Sequence, residues 1–186
     1  MERFPGYTLV RTEDCPEQHG TLTVLTHDVS GATVLLVENE DTNKAFGIGF
    51  GTFPSDDTGV FHILEHSVLA GSEKYPAMVD KSVFEQEGWH RSADGTVSGV
   101  VYNEMQGALA APDAQLENAL ERAMFPDTAY GFVSGGDPAS IPALTYEKYK
   151  RVYHRHYSAD NCCITLYGKM DMAEKLELLD RDYLSK

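Results

Sequence analysis

The sequence predicts an α+β protein, in which an antiparallel-rich sheet is packed by helices. Short alternating or dense apolar runs, which are typical of strands, lie mainly before residue 51, and helical patterns follow them. The links between the first strands are too short to hold a crossover helix, which favours antiparallel pairing. Strands and helices do not alternate strictly, and nothing in the chain resembles a linker. A single domain over residues 1–186 is therefore expected.

Three strands are predicted in the first fifty residues. Residues 21–25 alternate in polarity, and residues 33–37 form a denser apolar run. The residues between them, 28–31, are of the types that favour turns. A polar connection leads to a third strand over residues 45–50, so the three strands are expected to form an antiparallel meander.

Helical patterns account for most of the remaining chain. A helix is expected over residues 60–69, because N-cap residue types and acidic residues precede it, and Gly71 should end it. Residues 84–91 are expected to be extended. Pro112 should end a helix over 98–111, and Asp113 should cap the next one. The later elements expected are helices to about residue 124, over 145–156 and over 172–179, and a strand over 161–167.

The charge balance narrows the classes of partner. Lys and Arg total 15 against 29 Asp and Glu, a formal net charge of -14, which repels nucleic acid and anionic lipid. The longest apolar run, around residues 32–37, is far too short to span a membrane. No signal-type segment begins the chain, and adjacent Cys162 and Cys163 argue against a disulfide framework. A cytoplasmic location is expected, with no nucleic-acid or membrane partner.

The most informative feature is the segment HILEH at residues 62–66. His62, Glu65 and His66 lie on one stripe of the predicted helix, and apolar residues lie on the other side. Two imidazoles at positions i and i+4 can bind one metal ion, while the intervening carboxylate can reach a water at the metal. This is the inverted zinc motif H-x-x-E-H. The alternative is an amphipathic helix that presents polar residues to solvent.

A catalytic zinc site needs a third protein ligand and an open position for water. Glu104 is the candidate, because the residues one helical turn away from it are apolar or small and predict a buried face. These neighbours are Val100, Val101, Gly107 and Ala108. A buried carboxylate needs a cation nearby. A salt bridge to an Arg or Lys is the alternative to zinc.

Several segments resemble one known family, the pitrilysin superfamily of zinc metallopeptidases. Residues 57–72, followed by Lys-Tyr-Pro at 74–76, resemble its zinc segment, and the closest likeness is to the presequence-protease (falcilysin-like) branch. Further stretches resemble the same branch and occur in the same order along the chain. They are residues 84–90, 99–107, 134–138 and 144–161.

The resemblance implies a zinc metalloendopeptidase-type domain that hydrolyses peptide bonds in unstructured oligopeptides. It implies that His62, His66 and Glu104 bind Zn2+. It further implies that Glu65 is the catalytic base, which activates water together with the zinc ion. The assignment made from the residues alone is the same.

The sequence departs from the family in two ways. Members of the superfamily have a long segment between the Lys-Tyr-Pro loop and the Gln-Glu-Gly-Trp-His stretch, with an edge strand that pairs with the peptide. Here only residues 77–83 occupy that place. Members are also much longer, and they close two halves around the peptide. The resemblance therefore implies an incomplete, internally shortened N-terminal domain.

These departures leave a second function open. The chain could be the non-catalytic zinc-holding or peptide-binding half of a two-part peptidase assembly. Its expected partners are a peptide substrate together with a second-half peptidase chain, or with a second copy that covers an exposed sheet edge as a homodimer. A chain that neither bound zinc nor folded cooperatively would instead be a remnant without a function of its own.

Overall fold

The computed structural model describes residues 4–69 and 79–186. The chain divides into two compact units, one made of Met1–Gly51 and His156–Lys186 and the other of Thr52–Arg155. The single domain expected over residues 1–186 stays a prediction. Gly71 as the end of the first helix, and the Lys-Tyr-Pro loop at residues 74–76, lie outside the described residues.

Strands and helices occur in both units, and the predicted α+β fold is confirmed. The strands are β1 (Tyr7–Cys15), β2 (Gly20–His27), β3 (Thr33–Glu38), β4 (Ala45–Phe50), β5 (His90–Arg91), β6 (Val97–Ser98) and β7 (Cys162–Tyr167). The helices are α1 (Val60–Val68), α2 (Lys81–Val83), α3 (Val100–Ala108), α4 (Pro112–Met124), α5 (Tyr146–His156) and α6 (Met172–Leu179). A π-helical turn follows α2 at Phe84–Gly88, and another follows α6 at Asp180–Leu184.

The first unit is built on a five-stranded sheet with the order β1-β2-β3-β7-β4. The expected meander is correct for β2 and β3, which pair antiparallel, but wrong for β4. β7 lies between β3 and β4, parallel to the first and antiparallel to the second. β1 was not predicted, because most of its residues are polar and exposed. β1 pairs with β2 through backbone hydrogen bonds, and an apolar pattern in the sequence does not predict such bonds.

The core of this unit lies between the sheet and α6. Alternate residues of β7 are buried, as expected for a central strand with one covered face. Asp171 caps α6 by accepting a hydrogen bond from the backbone N–H of Glu174 at 3.1 Å. The helix then contributes its apolar side to the core. The buried cluster includes Leu25, Val34, Leu36, Ile164, Leu166, Met172, Leu176 and Leu179.

Leu36→Ala is expected to lower the free energy of unfolding by about 2–5 kcal/mol, because it leaves a cavity in this core. The Leu36 side chain is fully buried, with 0% exposure. Leu9→Ala is the matched control, since Leu9 in β1 is 59% exposed and its loss should cost less than about 0.5 kcal/mol. Urea unfolding of both variants measures the difference. Equal losses would contradict the assignment of Leu36 to the core.

The second unit departs from expectation around residue 84. An extended segment was expected over 84–91, but only His90 and Arg91 are extended, as strand β5. Asp80 accepts a hydrogen bond from the backbone N–H of Val83 at 2.9 Å and so begins α2. Phe84 is buried, with its ring centroid 5.0 Å from that of Tyr149. Residues 84–88 therefore form a π-helical turn with Phe84 packed inward, and not the start of a strand.

The boundary between α3 and α4 also differs from expectation. Pro112 is the first residue of α4 rather than the residue that ends a helix over 98–111. Proline is favoured at the first helical position, where its missing N–H needs no partner. Ala111 occupies the N-cap position, and Asp113 lies in the first turn instead of capping the helix.

Within residues 4–69 and 79–186, no helix combines the length and apolar character that a membrane span requires.

Candidate metal centre

Helix α1 carries the HILEH segment and begins at a glycine. Gly59 has a φ of 64°, and a Cβ atom there would lie 2.6 Å from the carbonyl oxygen of Gly135. The polar residues before α1 were expected to cap it, but Gly59 is the N-cap residue and no side chain caps the helix. Ile63 and Leu64 are fully buried, so the other side of α1 presents the polar residues of the motif.

The three predicted metal ligands lie close together. The Nε2 atom of His62 is 3.6 Å from Oε1 of Glu104, and the Nε2 atom of His66 is 3.7 Å from Oε2 of Glu104. One ligand atom from each of the three residues lies within 4.8 Å of the other two. The structure therefore brings together residues from α1 and α3 that are separated by about forty positions. Their assignment as zinc ligands stays a prediction.

The other ring nitrogen of each histidine is already engaged. Nδ1 of His62 donates to the carbonyl oxygen of Gly135 at 3.0 Å, and Nδ1 of His66 donates to Oε2 of Glu87 at 3.4 Å. Carbonyl and carboxylate oxygens only accept, so the hydrogen of each neutral imidazole is on Nδ1. Each Nε2 then directs a lone pair toward the Glu104 carboxylate. Three electron-rich atoms facing one another repel unless a cation lies among them.

The spacing and chemistry of these atoms fit a zinc ion. Zinc bonds to nitrogen and oxygen are about 2.0–2.2 Å long, which places two ligands of a tetrahedral site about 3.3 Å apart. The 3.6 Å and 3.7 Å separations, one to each Glu104 oxygen, exceed this by a few tenths of an ångström, and one ligand atom from each residue lies within 4.8 Å of the others. Two imidazoles and one carboxylate also form a donor set that zinc uses in catalytic sites.

The prediction that Glu104 lies on a buried face of its helix is wrong. Its side chain is 52% exposed, and only Val101 and Met105 of α3 are buried. These two residues are one turn apart, so α3 packs along one narrow line and leaves Glu104 in solvent. Among the described parts of the chain, the Glu104 carboxylate lies beside the Nε2 atoms of His62 and His66 and forms no ion pair with an Arg or Lys. The prediction of a cation beside Glu104 therefore depends on the two Nε2 atoms and not on burial.

Glu65 is exposed on α1 between the two histidines. A general base must reach solvent water and exchange protons with it, and an exposed carboxylate beside the candidate metal ligands can do both. Its role as the catalytic base stays a prediction.

Sequence reasoning missed the two groups that contact the outer ring nitrogens, Glu87 and the carbonyl of Gly135. Both lie in stretches that carried the family resemblance, but no role was assigned to either. The available signal was chemical, since metal-binding histidines usually donate their second N–H to a carboxylate or carbonyl. That rule predicts such partners without identifying them in the sequence.

Asp57 holds the loop of residues 133–137, which contains Gly135, beside α1. The Asp57 carboxylate accepts from the backbone N–H of Val133 at 2.8 Å and from Nη2 of Arg122 at 3.1 Å. The Asp57 carbonyl accepts from the backbone N–H of Asp137 at 2.8 Å. At Gly135 itself, a Cβ atom would lie 2.6 Å from Sδ of Met105, so a larger residue there would have to displace the end of the Met105 side chain. The turn before α1 therefore positions the carbonyl that contacts His62.

Acid sensitivity is expected in the same turn, at Asp56. Burial alone raises the pKa of Asp56, but hydrogen bonds from Lys148 and Thr58 outweigh it and lower the pKa overall. This carboxylate therefore contributes stability above its unfolded pKa of about 3.9, and the contribution is lost as pH falls through the lower folded value. Lys148→Met should lower the free energy of unfolding more at pH 7 than at pH 2.5. Urea unfolding at both pH values tests this, and equal losses would contradict it.

Comparison with known proteins extends these observations. No protein-family model matches the sequence. The chain is 33% identical to Protein HypA of Clostridium perfringens, over 97% of this chain and 25% of that protein. It is 33% identical to presequence protease 1, chloroplastic/mitochondrial, of Arabidopsis thaliana, over 96% of this chain and 22% of that protein. It is 32% identical to the mitochondrial presequence protease of Xenopus tropicalis, over 100% of this chain and 24% of that protein.

Among solved structures, the crystal structure of pitrilysin resembles this chain with a TM-score of 0.56. The match covers 94% of this chain and 24% of pitrilysin, at 16% sequence identity, and so concerns the fold alone. The chain thus spans about a quarter of the length of these proteins. The Xenopus alignment extends over 244 positions, and this chain has 186 residues, so at least 58 positions have no residue here. The expected internal shortening agrees with this difference.

Proposed function

We propose that this chain, which belongs to the presequence-protease branch of the pitrilysin superfamily, is a zinc metalloendopeptidase domain. Its substrates would be unstructured oligopeptides. The observation that carries the proposal is the convergence of three lone-pair atoms, the Nε2 atoms of His62 and His66 and the Glu104 carboxylate. The hydrogen bonds at both Nδ1 atoms support it, since they leave each Nε2 free to bind a metal ion.

His62, His66 and Glu104 would hold the zinc ion, which when bound supplies Lewis acidity and lowers the pKa of water towards about 7. Glu65 would take a proton from the water that attacks the peptide carbonyl. It would then pass this proton to the nitrogen of the leaving amine as the carbon–nitrogen bond breaks. The exposure of Glu65 suits it to both transfers. The formal charge of -14 favours neutral or basic peptides over acidic ones.

A second candidate is the non-catalytic zinc-holding or peptide-binding half of a two-part assembly. The aligned positions that this chain lacks favour it, because a shortened domain offers less surface to hold a peptide in place for cleavage unless a second half supplies the rest. The 52% exposure of Glu104 also favours it, since peptide hydrolysis at a metal site benefits from exclusion of bulk water, which a second half would supply.

Zinc content and peptide hydrolysis, measured on the same purified protein, test both candidates. The enzyme proposal expects about one zinc per chain by elemental analysis. It also expects cleavage of a quenched fluorescent peptide that stops with a chelator and returns with added zinc. One zinc per chain with peptide binding but no cleavage would support the second candidate. Folded protein that takes up no zinc would contradict the enzyme proposal, and folded protein that binds neither zinc nor peptide would contradict both.

A partner for the sheet edge belongs to the same proposal, either a second-half peptidase chain or a second copy of this chain. β4 is an edge strand, and its Phe46 and Ile48 side chains are 60% and 48% exposed. Exposed apolar edge strands pair readily with other chains. Light scattering at high concentration distinguishes a dimer from a monomer. A monomer would argue against the homodimer and leave the second-half peptidase chain as the proposed partner. The expected cytoplasmic location stays a prediction.

A further inference from the structure

Glu87 is a mostly buried carboxylate with protein partners on both oxygens. It lies in the π-helical turn Phe84–Gly88, and its side chain is only 16% exposed. Oε2 accepts from Nδ1 of His66 at 3.4 Å, and Oε1 accepts from Nε2 of Gln86 at 3.0 Å. A chain of hydrogen bonds therefore runs from Gln86 through Glu87 to the ring of His66.

The backbone next to Glu87 is packed closely against α1. A Cβ atom on Gly88 would lie 3.1 Å and 3.2 Å from side-chain carbons of Ile63, which is one turn before His66. A Cβ atom on Gly99 would lie 2.2 Å from the carbonyl oxygen of Gly88, so the other side of this residue is also crowded. The π-helical turn is thereby held against α1, and such turns often occur at functional sites. Glu87 is directed at His66 by this packing.

We propose that Glu87 is a positioning residue for the metal centre, which fixes the tautomer and the ring orientation of His66. The inference rests on the proposed function, because these properties matter only if Nε2 of His66 binds a metal ion. His62 has a neutral carbonyl as its outer partner, whereas His66 has a carboxylate. A carboxylate raises the basicity of the imidazole it contacts, so His66 becomes the stronger donor of the two.

Zinc affinity of the purified chain, measured by competition with a chromogenic chelator, tests the proposal. Glu87→Ala should raise the Kd for zinc about 10- to 100-fold. Glu87→Gln should fall between this variant and wild type, because the amide oxygen still accepts a hydrogen bond but carries no charge. Glu85→Ala is the matched control, since Glu85 lies in the same turn, is 47% exposed and pairs with Lys81. It should bind zinc as wild type does.

Cobalt(II) in place of zinc separates positioning from general loss of structure. If Glu87 orients His66, the visible absorption bands of the cobalt form should shift in Glu87→Ala, while metal-free wild type and variant unfold at similar temperatures. Unchanged zinc affinity in Glu87→Ala would overturn the inference, and so would equal weakening in Glu85→Ala. If wild type binds zinc and Glu87→Ala binds it equally, only this inference fails. If wild type takes up no zinc, the proposed function fails with it.

Discussion

Glu65→Gln is expected to keep zinc and to lose peptide hydrolysis by about 100- to 10,000-fold. Glutamine has nearly the shape of glutamate, but its amide cannot take a proton from water at neutral pH. Glu65 is exposed on α1, so the change should not disturb the packing of Ile63 and Leu64 on the buried side. Hydrolysis of a quenched fluorescent peptide gives the rate, and elemental analysis of the same sample gives the zinc content.

A matched control for this result is Glu117→Gln, which removes one exposed carboxylate from α4. It changes net charge by the same amount and should leave both zinc content and hydrolysis unchanged. Full hydrolysis in Glu65→Gln would exclude Glu65 as the base. Loss of zinc in that variant would instead show that Glu65 contributes to metal binding.

Glu104→Ala is expected to release zinc while the protein stays folded. Loss of a direct ligand should weaken binding more than the about 10- to 100-fold expected for a residue that only orients a ligand. The Glu104 side chain is 52% exposed, so its loss should change the free energy of unfolding by less than about 0.5 kcal/mol. Elemental analysis after dialysis measures zinc, and urea unfolding of the metal-free protein measures stability.

Asn103→Ala is the control for Glu104→Ala, since Asn103 is the preceding residue on α3 and is also exposed. It should retain zinc. Unchanged zinc content in Glu104→Ala would remove Glu104 as a ligand. The two variants should also differ from each other. Glu65→Gln should keep zinc but lose hydrolysis, whereas Glu104→Ala should lose both. This contrast distinguishes a base from a ligand in one set of preparations.

Sequence periodicity and turn chemistry by themselves determined most helices and strands of this protein. The strand predicted over residues 45–50 matches β4, and the helix predicted over 172–179 matches α6. The helix predicted over 60–69 differs from α1 by one residue. These features depend on neighbours within a few positions, because side chains repeat every two residues in a strand and every 3.6 in a helix. The HILEH stripe could be predicted for the same reason.

Only the tertiary structure decided which strands are neighbours, which face of α3 is buried and what contacts the histidine rings. β7 pairs with β3 and β4 although it lies more than a hundred residues after them in the chain. The outer partner of His66 is 21 positions away and that of His62 is 73 positions away. Local periodicity cannot predict contacts between residues this far apart, since these contacts depend on how distant segments pack. The candidate ligands could therefore be named from the sequence, whereas the groups that orient them could not.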